Sequence, residues 1–450
     1  MNQISFIQNR LDQKPDIQEA MQELQAAQTL QAMAIPALKL GRAVAACAIE
    51  AELDVRGHAP TERPLCPICS KAMESKGLVD RQMVTLCGVV KWERRIYRDA
   101  CGCGTKPVCP SDQALGITGY QRYCKSVKRL ACLLAVFLSY GSAAMLLSQC
   151  VGVIVSSSTI NNWVAFYGAI VMRRLTDELR QLREGQEPEP EKLSAEVEQL
   201  PLLIGADEVM APFRPNEGSP AGKTRYRGVK VGIFARLKKM LNRKGKEVSR
   251  LEQRRVVAVL GDATEIDERL QMEALRQGIK TAPMVVWVSD GAIWLWKIFG
   301  AWFSQYAIGI LDFYHAAQHL WGAASALLHG RKRLARLWFV QARRYMRRGY
   351  ARRIIAELKR AEKLNWLKAG NRKIIGLAAD YLQTHEAHLN YAIFKELGLP
   401  LGSGFVESTC KWLIQQRFKG VGMRWSEYGF NALLHLRIDY VNGRFDTHFY

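Results

Sequence analysis

Acidic residues are in short supply: 42 Asp and Glu face 64 Lys and Arg, leaving a formal net charge of +22. An excess of that size favours a polyanionic partner, because each cation that neutralises a phosphate releases a condensed counterion. Generic solubility is the bland alternative. Met1–Asp16 lacks the apolar stretch of a secretory leader. The longest apolar run, Leu130–Leu138, is too short to span a bilayer. A cytoplasmic protein without membrane contact is therefore expected. No internal repeat is present, and no Gly-x-Ser-x-Gly elbow marks a serine hydrolase. Gly218–Thr224 imitates a phosphate loop, but Glu217 occupies the place of its first glycine and a strand follows instead of a helix. His315 and His319 sit four apart without the glutamate of a zinc-protease motif.

What is present divides into blocks. Residues 1–60 read as an N-terminal helical region, with Pro36 as an expected break. Residues 61–115 turn to cysteines, glycines and short β-rich runs. Here Cys66-Pro-Ile-Cys69 and Cys101-Gly-Cys103 form two short pairs flanking a hairpin, which can bring four thiolates around a structural Zn²⁺ in a zinc-ribbon-like unit. Cys87 or Cys109 could replace one member of the tighter second pair, and four free cysteines is the competing reading. Cys47, Cys124, Cys132, Cys150 and Cys410 lie in apolar helical contexts and read as core thiols. Residues 116–183 read as a helix-turn-helix-like DNA-binding region built from three short helices. The last of these is capped by Ser156 and would present Asn161 and Asn162, side chains suited to adenine edges; an ordinary three-helix packing unit fits as well. Residues 184–201 form an acidic, proline-bearing stretch that reads as a solvated linker.

From 202 to 450 the periodicity predicts an α/β unit. Strands are expected at Leu202–Ala206, Gly228–Leu237 and Arg255–Gly261, followed by a helix, a strand at Met284–Val288, a helix, and a strand at Ala307–Leu311. That order is the one found in RNase H-like folds. A helical insertion follows over about 316–400. Asp207 and Asp290 fall at the tips of the first and fourth expected strands, and Glu407 on the first turn of a late helix. Carboxylates at apolar strand ends need a cation or a cap. Three of them can hold two Mg²⁺ or Mn²⁺ ions for in-line phosphoryl transfer. Taken singly, each acid could be a turn, cap or helix-dipole residue.

These residues resemble a known family. Asp207, Asp290 and Glu407 look like the DDE triad of RNase H-like transposases, and Asp312-Phe-Tyr-His315 matches the [Cys/Asp]-x-x-His motif of the Mutator-like and related branches. The wording of "SDGAIW", "LDFYHAAQHL", "GSGFVESTCKWLIQQRFKGVGMRW" and "CPIC" resembles ISKra-type bacterial insertion-sequence transposases, over roughly Pro64 to Trp425. The resemblance implies metal-dependent cleavage at transposon ends and strand transfer into target double-stranded DNA. It also implies auxiliary roles for Asp312 and His315, a dimer or larger synaptic assembly, and a nucleoid-associated location. Glu208 stands where glycine is often found, and so competes as a ligand. Arg343, Arg344, Arg347, Arg348, Arg352 and Arg353 on the insertion, with Lys411, Arg417 and Lys419 near Glu407, are the candidate phosphate contacts. A non-catalytic, transposase-derived DNA-binding protein and a general RNase H-like nuclease are the competing functions.

Overall fold

The computed structural model describes residues 9–59, 62–215, 223–243, 245 and 247–449. The Gly218–Gly222 part of the rejected phosphate loop lies outside them. Two compact units divide the chain, one running to Val164 and the other covering Ala165–His448.

In the first unit, α1 (Pro15–Ala26) and α2 (Leu30–His58) precede a hairpin of β1 (Glu74–Thr85) and β2 (Gly88–Arg98). The helical break falls at 27–29 and not at Pro36, because Thr29 caps α2 by accepting the Ala32 N–H and Pro36 is absorbed inside the helix. By length and composition α2 alone among the described helices could cross a membrane. Its Ala46 packs with Met83, Val90 and Trp92 of the hairpin, and buried Glu50 accepts from Arg10, Lys14 and the Lys91 N–H. A Cβ on Gly57 would lie 2.0 Å from the Glu93 carbonyl oxygen, so only glycine permits this approach of helix to strand.

Next come α3 (Pro110–Ala114), α4 (Lys125–Phe137) and α5 (Tyr140–Leu146), which runs into a π turn at Leu147–Val151 closed by left-handed Gly152. Ser156 Oγ accepts from the Thr159 N–H at 3.1 Å and opens α6. That helix is one continuous rod, Ser157–Arg183, rather than the short third helix expected, because nothing between Ala165 and Arg183 breaks it.

The second unit holds a five-stranded sheet in the order β5-β4-β3-β6-β7. Its strands are β3 (Leu202–Phe213), β4 (Arg225–Leu241), β5 (Glu247–Val259), β6 (Val285–Ser289) and β7 (Ala307–Leu311). The first three pair antiparallel, while β6 joins β3 and β7 joins β6 in parallel. Alternation splits the sheet's residues between two cores. Leu202, Ile204, Val285 and Trp287 pack against α7 (Ala263–Arg276) and α8 (Ile293–Ala301). Leu203, Val286, Val288 and Ile310 face the helical insertion: α9 (Phe313–Leu327), α10 (Lys332–Arg347), α11 (Ala351–Glu362), α12 (Ala369–Thr384) and α13 (Tyr391–Glu396). One apolar cluster runs unbroken from the sheet through Leu320, Ile354 and Ile375, so the insertion belongs to the sheet's own core. The chain then forms α14 (Gly404–Cys410), a π turn, and the buried α15 (Glu427–Val441).

The acidic stretch 184–201 is strapped to this unit instead of free in solvent. Glu191 pairs with Arg255 and accepts from Gln253 and Gln277, Glu187 pairs with Lys280, and Glu196 with Lys238.

Candidate functional site

Asp207 lies in the middle of β3, not at its tip, because β3 continues to Phe213 along β4. The parallel partner stops earlier: β6 pairs only with Leu202–Gly205. Asp207 therefore stands just past the end of β6, where the sheet has lost a neighbour on that side. Asp290 is the first residue after β6; its carboxylate accepts from the Ala292 N–H at 3.0 Å, and its carbonyl accepts from Trp296 Nε1 at 2.6 Å. Glu407 comes from α14. Gly205 admits that helix, since a Cβ there would lie 2.5 Å from Val406 and 2.7 Å from Phe405. Asp207 shares the face of Gly205, two residues along the strand.

Asp207 feels the other two carboxylates. Burial lifts the Asp207 carboxyl to about 6, and Asp290 and Glu407 add to the rise, while the Glu208 N–H and His315 oppose it. Among the described residues none of the three carries an ion pair, in a chain with an excess of 22 positive charges. Their oxygens do not crowd within 4.8 Å as a single-ion cage would. Glu208 leaves the group. Strand alternation sends it to the opposite face, over Gly228 and 3.5 Å from Lys230 Nζ.

Asp312 is 1% exposed and fully engaged. One oxygen caps α9 by accepting from the Tyr314 and His315 N–H groups, at 2.6 and 3.0 Å. The other accepts both the N–H and the Oγ–H of Ser403, one residue before α14. The Phe313 N–H donates to the Leu401 carbonyl, 2.8 Å away, beside this brace. Asp312 thus fastens the turn that carries Glu407.

Sequence reasoning missed Ser403, and it also missed the residues that hold Asp290. A Cβ on Gly291 would lie 2.2 Å from the Tyr381 ring, and both Tyr381 and His385 of the insertion hydrogen-bond to the Gly291 backbone. Tyr381 stacks on His319 at 3.8 Å, and Trp296 packs at a tilt against His388, 4.2 Å between ring centres. Burial lowers the pKa of His319, His385 and His388, favouring neutral rings, and raises that of Tyr381.

Of the basic candidates, Arg344, Arg347, Arg348, Arg352, Arg353, Lys411 and Lys419 are exposed, while Arg343 is half-buried over the Phe313 ring. Arg352 is already paired with Glu386. Arg417 is 2% exposed and lies over Trp425, so it is a core residue and not a surface phosphate contact. Asn161 and Asn162 are exposed near the start of α6.

In the first unit the sulfurs of Cys66, Cys69, Cys101 and Cys103 all lie within 4.8 Å of one another, and could hold a metal ion such as zinc. Tetrahedral thiolates at a Zn–S distance of about 2.3 Å stand about 3.8 Å apart, so the quartet fits. The backbone N–H groups of Cys69 and Ile68 pull the Cys66 thiol down to about 6. Asp99, unnoticed in the sequence, shapes the second turn by accepting from the Cys101, Gly104 and Thr105 N–H groups. Cys87 and Cys109 lie outside the quartet. Cys47, Cys132 and Cys410 are buried thiols; Cys150 is exposed at the end of the π turn, against expectation.

A mixed sheet with helices on both faces and a four-cysteine cluster that could hold a metal ion together define an α/β protein with one candidate metal centre among its described residues. The chain matches the family described as "Uncharacterised protein family (UPF0236)" over residues 72–447, and belongs to it. No curated protein matches the chain.

Proposed function

We propose that this chain is a DNA transposase with an RNase H-like DDE core, in which Asp207, Asp290 and Glu407 are the catalytic carboxylates. One observation carries the reading: acids from three separate elements lie near the end of β6, Asp207 and Asp290 half-buried and Glu407 exposed, none in an ion pair, in a strongly basic protein. A half-buried acid left unpaired, as Asp207 is, is a destabilising arrangement unless a cation is its ligand. The strand order, with two antiparallel pairs followed by two parallel ones, supports the same reading.

The all-oxygen donor set suits Mg²⁺ or Mn²⁺, which when bound activate the attacking hydroxyl and stabilise the leaving oxygen. The chain's own residues do the positioning. Tyr381 and His385 hold the turn after Asp290, Asp312 holds the turn before Glu407, and His315 lies close enough to Asp207 to ease its charge. The exposed arginines of α10 and α11, with Lys411 and Lys419, supply a phosphate-binding face. In the first unit the cysteine quartet binds structural Zn²⁺, and α5 with the start of α6 makes a helix-turn-helix that presents Asn161 and Asn162 to double-stranded DNA. Pairing of two transposon ends calls for at least a dimer.

The test is cleavage of end-labelled DNA carrying the sequences that flank this gene, in Mg²⁺ or Mn²⁺, by the wild type and by Glu407→Gln. Metal-dependent cutting by the wild type alone is the expected result. Cutting by both proteins would move the third carboxylate elsewhere, and binding without cutting by either would leave a DNA-binding protein.

A further inference from the structure

Beyond its last pairing with β3, at Leu202 opposite Arg236, β4 continues with β5 alone as a two-stranded ribbon from Leu237–Leu251 to Leu241–Glu247. Five residues of strand carry this arm about 17 Å past the sheet. Its root is fastened. Arg236 is 2% exposed and donates to the Leu200 and Gln277 carbonyls, the ladder shifts register between Phe234 and Arg236, and Gln253 takes a left-handed φ of 47° with its amide on Glu191. Bulges of this kind aim a ribbon.

The arm's composition is unusual even for this chain. Seven basic residues and two acidic ones lie between Lys238 and Arg254. Lys238, opposite Arg250 in the ladder, is already paired with Glu196 and Glu252, which leaves Arg250 as the outward-facing cation of that pair. In the two-stranded arm both strands are edges, where lysines also discourage edge-to-edge pairing. Lys239, Arg243 and Arg250 are exposed, and at the tip Leu241 is 69% exposed. The foot of the arm, at Leu237, Ser249 and Leu251, lines the same groove of about 590 Å³ as Glu407 and Arg347.

We infer that the β4–β5 arm is a DNA-gripping ribbon that holds duplex phosphates beside the carboxylate site; the inference rests on the DNA-processing reading above. Arg243 and Arg250 contact the backbone, together with Lys239 once phosphate replaces its exposed partner Glu247. The experiment is fluorescence-anisotropy titration of a fluorescein-labelled duplex of arbitrary sequence, in EDTA, across a salt series. It compares the full-length wild type, the combined Lys239→Ala, Arg243→Ala and Arg250→Ala variant, and a charge-keeping Arg243→Lys, Arg250→Lys variant. Loss of three phosphate contacts is expected to flatten the slope of log K against log salt by about 2–3, near 0.9 per contact, with the melting temperature unchanged and the lysine variant close to wild type. An unchanged slope in the alanine variant overturns the arm while leaving metal-dependent cleavage to stand. A wild type that neither binds nor cuts duplex DNA overturns both.

Discussion

Replacing Asp207 with Asn should make the protein more stable and inactive at once. The Asp207 carboxyl rises from 3.8 to about 6 in the fold, chiefly through burial. A raised carboxyl supports the folded state fully below its unfolded value, and that support is lost as pH climbs through the folded one. Fully desolvated, the shift would correspond to roughly 3 kcal/mol at about 1.4 kcal/mol per pH unit; with the group partly open to solvent, about 1–2 kcal/mol is reasonable. Asn never ionises and escapes the loss. In EDTA at pH 8 the variant should melt higher by about 2–8 °C, taking about 2–4 °C per kcal/mol for a unit of this size. The gap should close between about pH 6 and pH 4, where the wild-type carboxyl is protonated in the fold. Addition of Mn²⁺ should reverse the order, because a ligand that binds only the folded wild type stabilises it by mass action. Differential scanning fluorimetry over that pH range, with and without Mn²⁺, makes the comparison. An Asn variant that melts lower than wild type at pH 8 in EDTA would refute the argument that Asp207 is held against its own charge.

Two other outcomes follow from the geometry. Ser403→Ala removes one of the donors to buried Asp312 while the Ser403 N–H remains; stability should fall by about 1–3 kcal/mol. Cleavage should fall much further than DNA binding, and Ser403→Thr should restore part of it, since Ser403 acts through the position of Glu407. Stripping metal from the cysteine quartet with a strong chelator, or replacing Cys69 and Cys103 with Ser, should abolish a zinc content of one ion per chain as read by elemental analysis. The same treatments should lower the melting of the first unit while Mn²⁺-dependent stabilisation of the second persists.

Much of this architecture was legible in the sequence, because its signals are local. Apolar runs bounded by turn residues marked all five strands of the large sheet in order, and two short cysteine pairs around a hairpin marked the quartet. Strand ends were less legible. Asp207 reads as a strand tip because apolar residues stop there, yet β3 runs on beside β4 while β6 has ended. The sequence carries no trace of where a neighbouring strand stops. The braces were illegible for a related reason: Ser403 meets Asp312, and Tyr381 meets Gly291, across long stretches of chain and without any periodic pattern. Arg417 misled in the other direction. A basic residue among other basic residues reads as surface, and only the packing of Trp425 shows it to be interior.

The late arrival of Glu407 has a consequence for protein synthesis. Asp207 and Asp290 emerge first, and the insertion must follow before α14 can dock on Gly205. More than a hundred residues separate Asp290 from Glu407. At about 5–20 residues per second that is on the order of ten seconds during which a nascent chain lacks its third carboxylate. Because the insertion's apolar residues are continuous with the sheet's, a chain released early also lacks half of its core. On the proposed reading, the ribosome is a safety catch: a truncated product has no complete set of acids with which to cut the DNA of its host, and proteolysis meets it while its core is still open.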